Sequence, residues 1–149
     1  MIDQTASAYE IRRARGENEL EAALALRYEV FCEEQGVPTS EERDGRDGDG
    51  VHLVAVAAGR LLATCRLLLV GPTVQFSRLA VRPDERRRGI ATAMLRAADT
   101  EALAGGARRL VLHAQTYARA LYEAAGYEPR GRAFMEAGIE HIAMEKLLR

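Results

Sequence analysis

The chain has 149 residues, of which 48% are hydrophobic and 29% are charged, and its formal net charge is −1 at pH 7. A chain of this length buries roughly 68–70% of the surface that its unfolded form exposes, so we expect a single domain over residues 1–149. The near-neutral charge and the apolar content argue against disorder and against bulk attraction to nucleic acid. The N-terminal residues lack the apolar stretch of a signal peptide, and no apolar run approaches the ~18 residues of a membrane span. These features predict a cytoplasmic protein that does not bind membranes.

The first third of the chain predicts a short strand, a helix and an acidic loop. The strand covers residues 9–13, and the helix opens at Glu17 or Asn18 and ends before Gly36 and Pro38. Its apolar face is predicted to consist of Leu20, Leu24, Tyr28 and Phe31. Cys32 lies on this helix and Cys65 lies far from it, without a CxxC motif or a nearby histidine pair, so we expect two reduced thiols.

Residues 33–49 carry seven acidic residues, two arginines and three glycines, which predicts a partly mobile loop. One interpretation is a solvated, variable loop; another is that its negative charge draws a cationic amine toward a binding site. The run "DGRDGDG" contains part of a calcium-loop pattern. Aligning it on that pattern places Gly45 at the first ligand position and Val56 at the last, so we expect no metal there.

The remainder of the chain alternates strands and helices. Strands are predicted at 51–57, 61–70, 74–81, 108–114, 129–134 and 141–148, and helices at 87–104 and 117–125. The unit formed by 74–81, 87–104 and 108–114 is a βαβ crossover, so its two strands are expected to be parallel. Together these elements indicate a mixed α/β fold.

Three consecutive arginines, Arg86, Arg87 and Arg88, precede Gly89 at the start of the helix predicted at 87–104. A helix N-terminus has unpaired N–H groups and a partial positive charge, which suit an anion such as phosphate, whereas cations are poorly placed there. Glycine lets an anion approach the backbone closely. The alternative is a solvated arginine cluster without a ligand.

The ordered set "AVRPDERRRGIATAML", a further strand and "YEAAGY" resembles the GNAT superfamily of acyl-CoA-dependent N-acetyltransferases, whose loop pattern [Q/R]-x-x-G-x-[G/A] is filled by Arg86, Gly89 and Ala91. The segments "EVFCEEQGVP", "LHAQ" and "FMEAGIEHIAME" resemble the small bacterial branch that includes ElaA. The resemblance implies a central, mostly antiparallel mixed sheet of six to seven strands with a splayed parallel pair, flanked by about four helices.

The same resemblance implies where acetyl-CoA binds. The backbone of Leu79, Ala80 and Val81 would pair with the pantetheine arm, and a strand N–H would polarise the acetyl carbonyl. The pyrophosphate would lie on the loop formed by Arg86, Arg87, Arg88, Gly89, Ile90, Ala91 and Thr92.

The resemblance further assigns proton-transfer roles. Tyr122 matches the family tyrosine that protonates the departing thiolate, although a core-facing aromatic is the alternative. The glutamate that serves many relatives as a base falls near Gln75 here, and glutamine cannot take a proton. The remaining candidates for the base are His52, Glu136 and His141. His113 is expected to orient a neighbour, and Glu34 and Gln35 either position substrate or form a solvated helix end.

The resulting hypothesis is an enzyme that moves acetyl from acetyl-CoA, used as a substrate, to a primary amine by direct attack in a ternary complex. The first alternative is a non-catalytic acyl-CoA-binding or sensor module. The second, a nucleic-acid binder that uses the arginines, lacks interleaved aromatic residues and a basic net charge. No metal, nucleic acid or membrane partner is expected. The acceptor is a small-molecule or peptide amine, and the resemblance is compatible with a homodimer.

Overall fold

A computed structural model describes residues 8–149 of the chain. Its strands are β1 (Glu10–Arg13), β2 (Val51–Ala57), β3 (Arg60–Val70), β4 (Thr73–Val81), β5 (Arg109–Gln115), β6 (Glu128–Glu136) and β7 (Ile139–Leu147). They form one seven-stranded sheet in the order β1-β2-β3-β4-β5-β7-β6. Of the strand pairs in this described part of the chain, β4 and β5 run parallel and the others are antiparallel. The mixed sheet with one parallel pair is therefore confirmed.

The helices are α1 (Gly16–Arg27), α2 (Thr39–Glu42), α3 (Ile90–Ala104) and α4 (Arg119–Ala124). The backbone of α1 continues directly into a π-helical segment, Tyr28–Glu34, which is followed by a glycine with positive φ at Gly36. In the described residues, no helix is both long enough and apolar enough to span a bilayer.

The buried face of the first helix differs from the predicted one. Ala23, Leu26 and Val30 are buried against the sheet, whereas Tyr28, which was expected on the buried face, is 45% exposed. The prediction assumed one uninterrupted α-helix, and its phase was off by about one residue before the wider π-helical turns begin. The helix therefore packs on a different set of side chains than the apolar pattern indicated.

Helix α3 begins three residues later than predicted. Arg87 and Gly89 have φ angles of +64° and +80°, so the chain is left-handed just before the helix starts at Ile90. Ile90, Met94 and Ala98 are then buried against the sheet, as their helical spacing predicts. The left-handed residues leave the N-terminus of α3 in an open loop rather than in a continuous helix.

The acidic segment 33–49 is not the mobile, solvated loop that its composition predicts. It contains α2, and its acids bind arginines that project from α1 and β3. Arg27, which is 1% exposed, donates to Glu42 and Asp47 at 2.7 and 2.8 Å. Arg66, which is 2% exposed, donates to Asp44 and Asp47 at 2.7 to 2.9 Å. These acids are neutralised by the protein itself, which argues against a free negative surface that draws amines.

Strands β4 and β5 separate partway along their length. Three residues of β4, from Thr73 to Gln75, pair with the three residues of β5 from Arg109 to Val111. Beyond Gln75 the two strands no longer pair, while β5 stays bonded to β7 as far as Gln115. The sheet is therefore split by a cleft that opens between β4 and β5.

Candidate active site

A cavity of about 720 Å³ occupies the cleft between the diverging strands. Its volume is in the usual range for a small-molecule site. Gln75 and Val111, the last residue pair before the strands part, both line it. Gln75, near which the family resemblance places the glutamate base of many relatives, therefore lines the cavity, and its amide cannot accept a proton.

The loop from Arg86 to Thr92, here called the arginine–glycine loop, follows the end of β4 that has separated from β5 and lies outside the set of residues that line the cavity. No backbone N–H from Arg87 to Thr92 donates to another residue within the part of the chain that the structure describes. A Cβ added to Gly89 would meet no atom within 4 Å. Left-handed Arg87 and Gly89 expose consecutive N–H groups, a geometry that forms an anion-binding concavity. The loop thus has the free donors that its sequence predicts.

Carboxylates already pair with two of the three arginines in this loop. Arg86 donates to both carboxylate oxygens of Glu34 at 2.7 Å each, and its Nε donates to the carbonyl oxygen of Val81 at 3.1 Å. Arg88 pairs with Glu85. The hydrogen bonds from Arg86 lower the pKa of the Glu34 carboxyl. An anion is therefore not needed to explain the side chains of Arg86 and Arg88, although the backbone donors remain free.

The end of the π-helical segment reaches across the cleft to β5. The amide of Gln115 donates to Gln35 at 2.7 Å, and the Gln35 amide lies 3.2 Å from the hydroxyl of Tyr117. With the Glu34 pair, these bonds join the first helix to both sides of the opening. Glu34 and Gln35 are thus bonded to other residues, although the side chain of Glu34 is 41% exposed.

Strand β4 contains a β-bulge on the wall of the cavity. Along β3, the single residue Cys65 lies opposite two residues of β4, Arg78 and Leu79. Arg78 has a φ of +60°, which is unfavourable for any residue other than glycine. A bulge removes a main-chain group from the regular ladder and commonly occurs next to active sites. Leu79 of this bulge lines the cavity.

Tyr122 extends from α4 to the cavity. Its ring packs against the main core and lies edge-on to Tyr127 with centroids 6.0 Å apart, while its side chain lines the cavity. Burial raises the pKa of the Tyr122 hydroxyl above its ordinary value, so the hydroxyl keeps its proton at neutral pH. Tyr122 therefore both packs its ring on the core and lines the cavity, so the two alternatives predicted for it are compatible.

Glu136 lies between two histidines on the wall opposite β4. Its Oε1 accepts a hydrogen bond of 2.9 Å from Nδ1 of His113, and its Oε2 lies 3.8 Å from Nε2 of His141. The ring of Phe134 is edge-on to one imidazole at 4.9 Å and stacks on the other at 6.1 Å. Both imidazoles and the carboxylate line the cavity. Among residues 8–149, no group of three or more His, Cys, Asp or Glu has an arrangement that could hold a metal ion.

His52 lies outside this cluster and does not line the cavity. It is 8% exposed on β2, and its Nε2 donates to the carbonyl oxygen of Asp47 at 2.8 Å. The sequence interpretation grouped His52 with Glu136 and His141 as candidates for the base, but the sheet places His52 behind the acidic segment, away from the cavity that the other two line. Glu136 and His141 are brought together with His113, but His52 is not.

The sequence interpretation did not identify three residues around the cavity. Arg66 and Arg78 lie within apolar strand segments, and Glu42 lies in the segment assumed to be mobile. A signal was available, because a charged residue inside an apolar strand needs a buried partner of opposite charge. Arg66 and Arg78 pair with acids of the segment 42–47, which has the matching negative charges.

Comparison with known proteins agrees with this geometry. The family described as an acetyltransferase (GNAT) domain matches residues 9–148. The uncharacterized N-acetyltransferase YjcF of Bacillus subtilis is 31% identical over 134 residues, which cover 89% of this chain and 96% of that protein.

Solved structures share the fold. An acyl-CoA N-acyltransferase from Pseudomonas aeruginosa is 31% identical, with a TM-score of 0.80 over 93% of this chain and 99% of that one. ElaA from Escherichia coli is 25% identical, with a TM-score of 0.80 over 93% and 98% of the two chains. The family resemblance seen in the sequence is confirmed by these matches. The chain therefore belongs to the GNAT family of acetyltransferases.

Proposed function

We propose that this protein transfers the acetyl group of acetyl-CoA to a primary amine by direct attack in a ternary complex. The observation that carries the proposal is the split between β4 and β5. The split leaves one edge of the end of β4 unpaired, the loop of free N–H donors follows that end, and the cavity in the split is lined by a partly buried phenol and a carboxylate with two imidazoles. Residues of suitable chemistry for thioester access and proton transfer therefore line the cavity, and those suited to diphosphate binding follow the adjacent end of β4.

The donor would be held by the arginine–glycine loop and the free edge of β4. The N–H groups from Arg87 to Thr92 offer hydrogen bonds to a diphosphate, and the helix dipole of α3 favours its negative charge. Leu79, Ala80 and Val81 would pair with the pantetheine arm as an added strand would. The similar Pseudomonas protein, which is described as an acyl-CoA N-acyltransferase, supports an acyl-CoA donor.

The thioester carbonyl would be polarised at the β4 bulge. A main-chain N–H that is displaced from the β3 ladder at Arg78–Leu79 can donate to the carbonyl oxygen as negative charge develops there. Such a donor is fixed before the reaction begins, so it stabilises the transition state without reorganising.

His141 is the proposed base, and Glu136 is its counter-ion. Nδ1 of His141 lies 2.7 Å from the carbonyl oxygen of Ile139, which can only accept, so Nδ1 carries the proton of the neutral ring. Nε2 then has a free lone pair, and it faces the carboxylate of Glu136 at 3.8 Å. When Nε2 takes a proton from the substrate ammonium, the resulting imidazolium faces the carboxylate of Glu136 as its counter-ion.

Tyr122 completes the proton transfers. The neutral amine attacks the acetyl carbon, and collapse of the tetrahedral intermediate breaks the carbon–sulfur bond. The departing thiolate takes the proton of the Tyr122 hydroxyl, which is then replaced from solvent. The second amine proton leaves after the attack, so the products are the amide, CoA with a free thiol and one released proton.

The test has two stages. Isothermal titration calorimetry with CoA tests the donor site, and absence of binding overturns both the enzyme and the acyl-CoA sensor. A thiol-release assay over a library of small amines, amino sugars and peptides then tests turnover with acetyl-CoA. Release that depends on an amine and is lost in Tyr122→Phe supports the enzyme, whereas CoA binding without release from any amine supports the sensor.

A further inference from the structure

We infer that Glu42 is a positioning residue for the transfer reaction: its buried carboxylate holds the guanidinium of Arg78 and thereby fixes the β4 bulge against the donor's carbonyl. This inference rests on the proposed function. It assigns a catalytic consequence to a residue that lies 36 positions away from the bulge in sequence.

The contact between α2 and the bulge is extensive. Nε of Arg78 donates to Oε2 of Glu42 at 3.0 Å, and its Nη2 donates to the Glu42 carbonyl oxygen at 3.0 Å. Longer contacts of 3.3 and 3.4 Å join Nη2 to the Glu41 carbonyl and to Asp44. A guanidinium has a planar set of donors, so several acceptors on one segment fix its direction as well as its distance.

Glu42 is itself held firmly. Its side chain is 2% exposed, and Nε of Arg27, whose side chain is 1% exposed, donates to the same Oε2 at 2.7 Å. A single buried carboxylate oxygen therefore receives one guanidinium from α1 and another from β4. Removing one member of a buried ionic group is costly because the other charges lose their partner. The Glu42 carboxylate and the two guanidinium groups bonded to it therefore have little freedom to move.

The bulge needs such a restraint. Arg78 has a left-handed backbone, which costs a non-glycine residue of the order of 1–3 kcal/mol and persists only where surrounding contacts impose it. Arg78 and Leu79 share the position opposite Cys65, so relaxation of one would turn the peptide plane of the other. Because Leu79 lines the cavity, that rotation would misdirect a donor at the reacting carbonyl.

A purely structural role is the competing explanation, in which Glu42 only anchors α2 to the sheet. The two explanations differ in what survives the loss of the carboxylate. The arginine–glycine loop makes no hydrogen bond to Glu42. If Glu42 positions the bulge, the variant should bind CoA with normal affinity but change the stretching frequency of the bound thioester carbonyl. If Glu42 is only structural, the variant should either leave that frequency unchanged or lose CoA binding because it does not fold.

The primary experiment compares Glu42→Gln with wild type and with Glu21→Gln, which removes an exposed carboxylate of α1 that makes no ion pair within residues 8–149. The first readout is the infrared carbonyl stretch of acetyl-CoA labelled at the thioester carbon, which needs no acceptor. In wild type and Glu21→Gln, we expect a shift to lower frequency on binding, and in Glu42→Gln we expect most of that shift to be lost. The Kd for CoA should remain within about twofold, and kcat with an amine found by screening should fall roughly tenfold or more.

Arg78→Gly keeps the test decisive if Glu42→Gln does not fold. Glycine adopts positive φ without strain but populates other backbone conformations as readily, so this variant can fold with the bulge while lacking the guanidinium that holds the bulge in one conformation. We expect it to fold, to bind CoA normally and to lose the carbonyl shift. A full carbonyl shift and wild-type kcat in a folded Arg78→Gly variant would overturn the inference. Failure of wild type to bind acetyl-CoA would instead overturn the proposed function and this inference with it.

Discussion

Glu34 and Arg86 form a bidentate ion pair, with both oxygen–nitrogen distances at 2.7 Å, although 52 positions separate them in the sequence. The pair connects the end of the π-helical segment to the start of the arginine–glycine loop. A diphosphate on that loop and the Glu34 carboxylate would compete for the same guanidinium. The affinity for CoA should therefore depend on Glu34.

The first prediction follows from that competition. Glu34→Gln removes the negative charge that holds Arg86, so CoA should bind up to about fivefold more tightly. The limit follows because a half-exposed ion pair contributes ~0–1 kcal/mol, which the ligand no longer has to overcome. Titration calorimetry at low ionic strength measures the change. Glu33→Gln, which removes the adjacent exposed carboxylate, is the control and should leave the affinity unchanged. Weaker binding in Glu34→Gln would mean that the pair orients Arg86 for the ligand.

The second prediction concerns Gly89. Leucine there must adopt a φ of +80° and would extend into the open space above the free N–H groups. We expect Gly89→Leu to weaken CoA binding about tenfold or more, and by more than Tyr122→Phe does. Gly106→Leu is the matched control, because Gly106 has a φ of +83°, equally open surroundings and a position at the opposite end of α3. Equal losses in both glycine variants would attribute the effect to backbone strain.

The third prediction separates proton donation from binding. Tyr122→Phe retains the ring that packs on the core and removes only the hydroxyl, so kcat should fall about 10²-fold while the Kd for CoA stays within about twofold. Because burial raises the pKa of Tyr122 above 10.0, loss of its proton should not reduce the wild-type kcat below pH 10. Steady-state rates across pH check both points. Tyr28→Phe changes an exposed phenol and serves as the control; a full rate in Tyr122→Phe would remove the hydroxyl from the mechanism.

The fourth prediction tests which histidine acts as the base. His141→Gln removes the lone pair that faces Glu136, so kcat/KM for the amine should fall about 10²-fold with little change in CoA affinity. His52→Gln removes an imidazole that is bonded to the Asp47 carbonyl and lies away from the cavity, so turnover should be retained. The reverse ranking of the two variants would contradict the assignment of the base.

The fifth prediction concerns stability in acid. Hydrogen bonds from Arg66 lower the pKa of Asp44, so the ionised form is favoured in the folded state. The stabilisation is complete above the unfolded-state pKa of about 3.9 and is lost as the pH falls through the lower folded-state value. We expect Asp44→Asn to reduce the free energy of unfolding by about 2 kcal/mol from pH 7 to pH 5, with a smaller difference below about pH 4. Denaturant titrations at each pH measure it, and Asp49→Asn, an exposed neighbour, should show neither effect.

Local patterns were sufficient for most of the fold. The apolar strands, the glycines between elements and the βαβ unit predicted where the strands lie along the chain and which two are parallel, because these features depend on residues close together in sequence. The π-helical segment and the bonded acidic segment were mispredicted. The acidic segment is held by Arg66 and Arg78, which lie tens of residues away in the sequence, and the end of the π-helical segment is bonded to the equally distant Arg86.

By itself, the sequence determined the family resemblance, the arginine–glycine loop and the candidate phenol Tyr122, since each is contained in a short contiguous motif. Only the tertiary structure decided that Glu136 meets His113 and His141 while His52 does not, and that Glu42 reaches Arg78. The physical reason is that such contacts are set by strand register and by the divergence of β4 from β5. These long-range relationships arise from packing of the whole sheet, and no single stretch of residues encodes them.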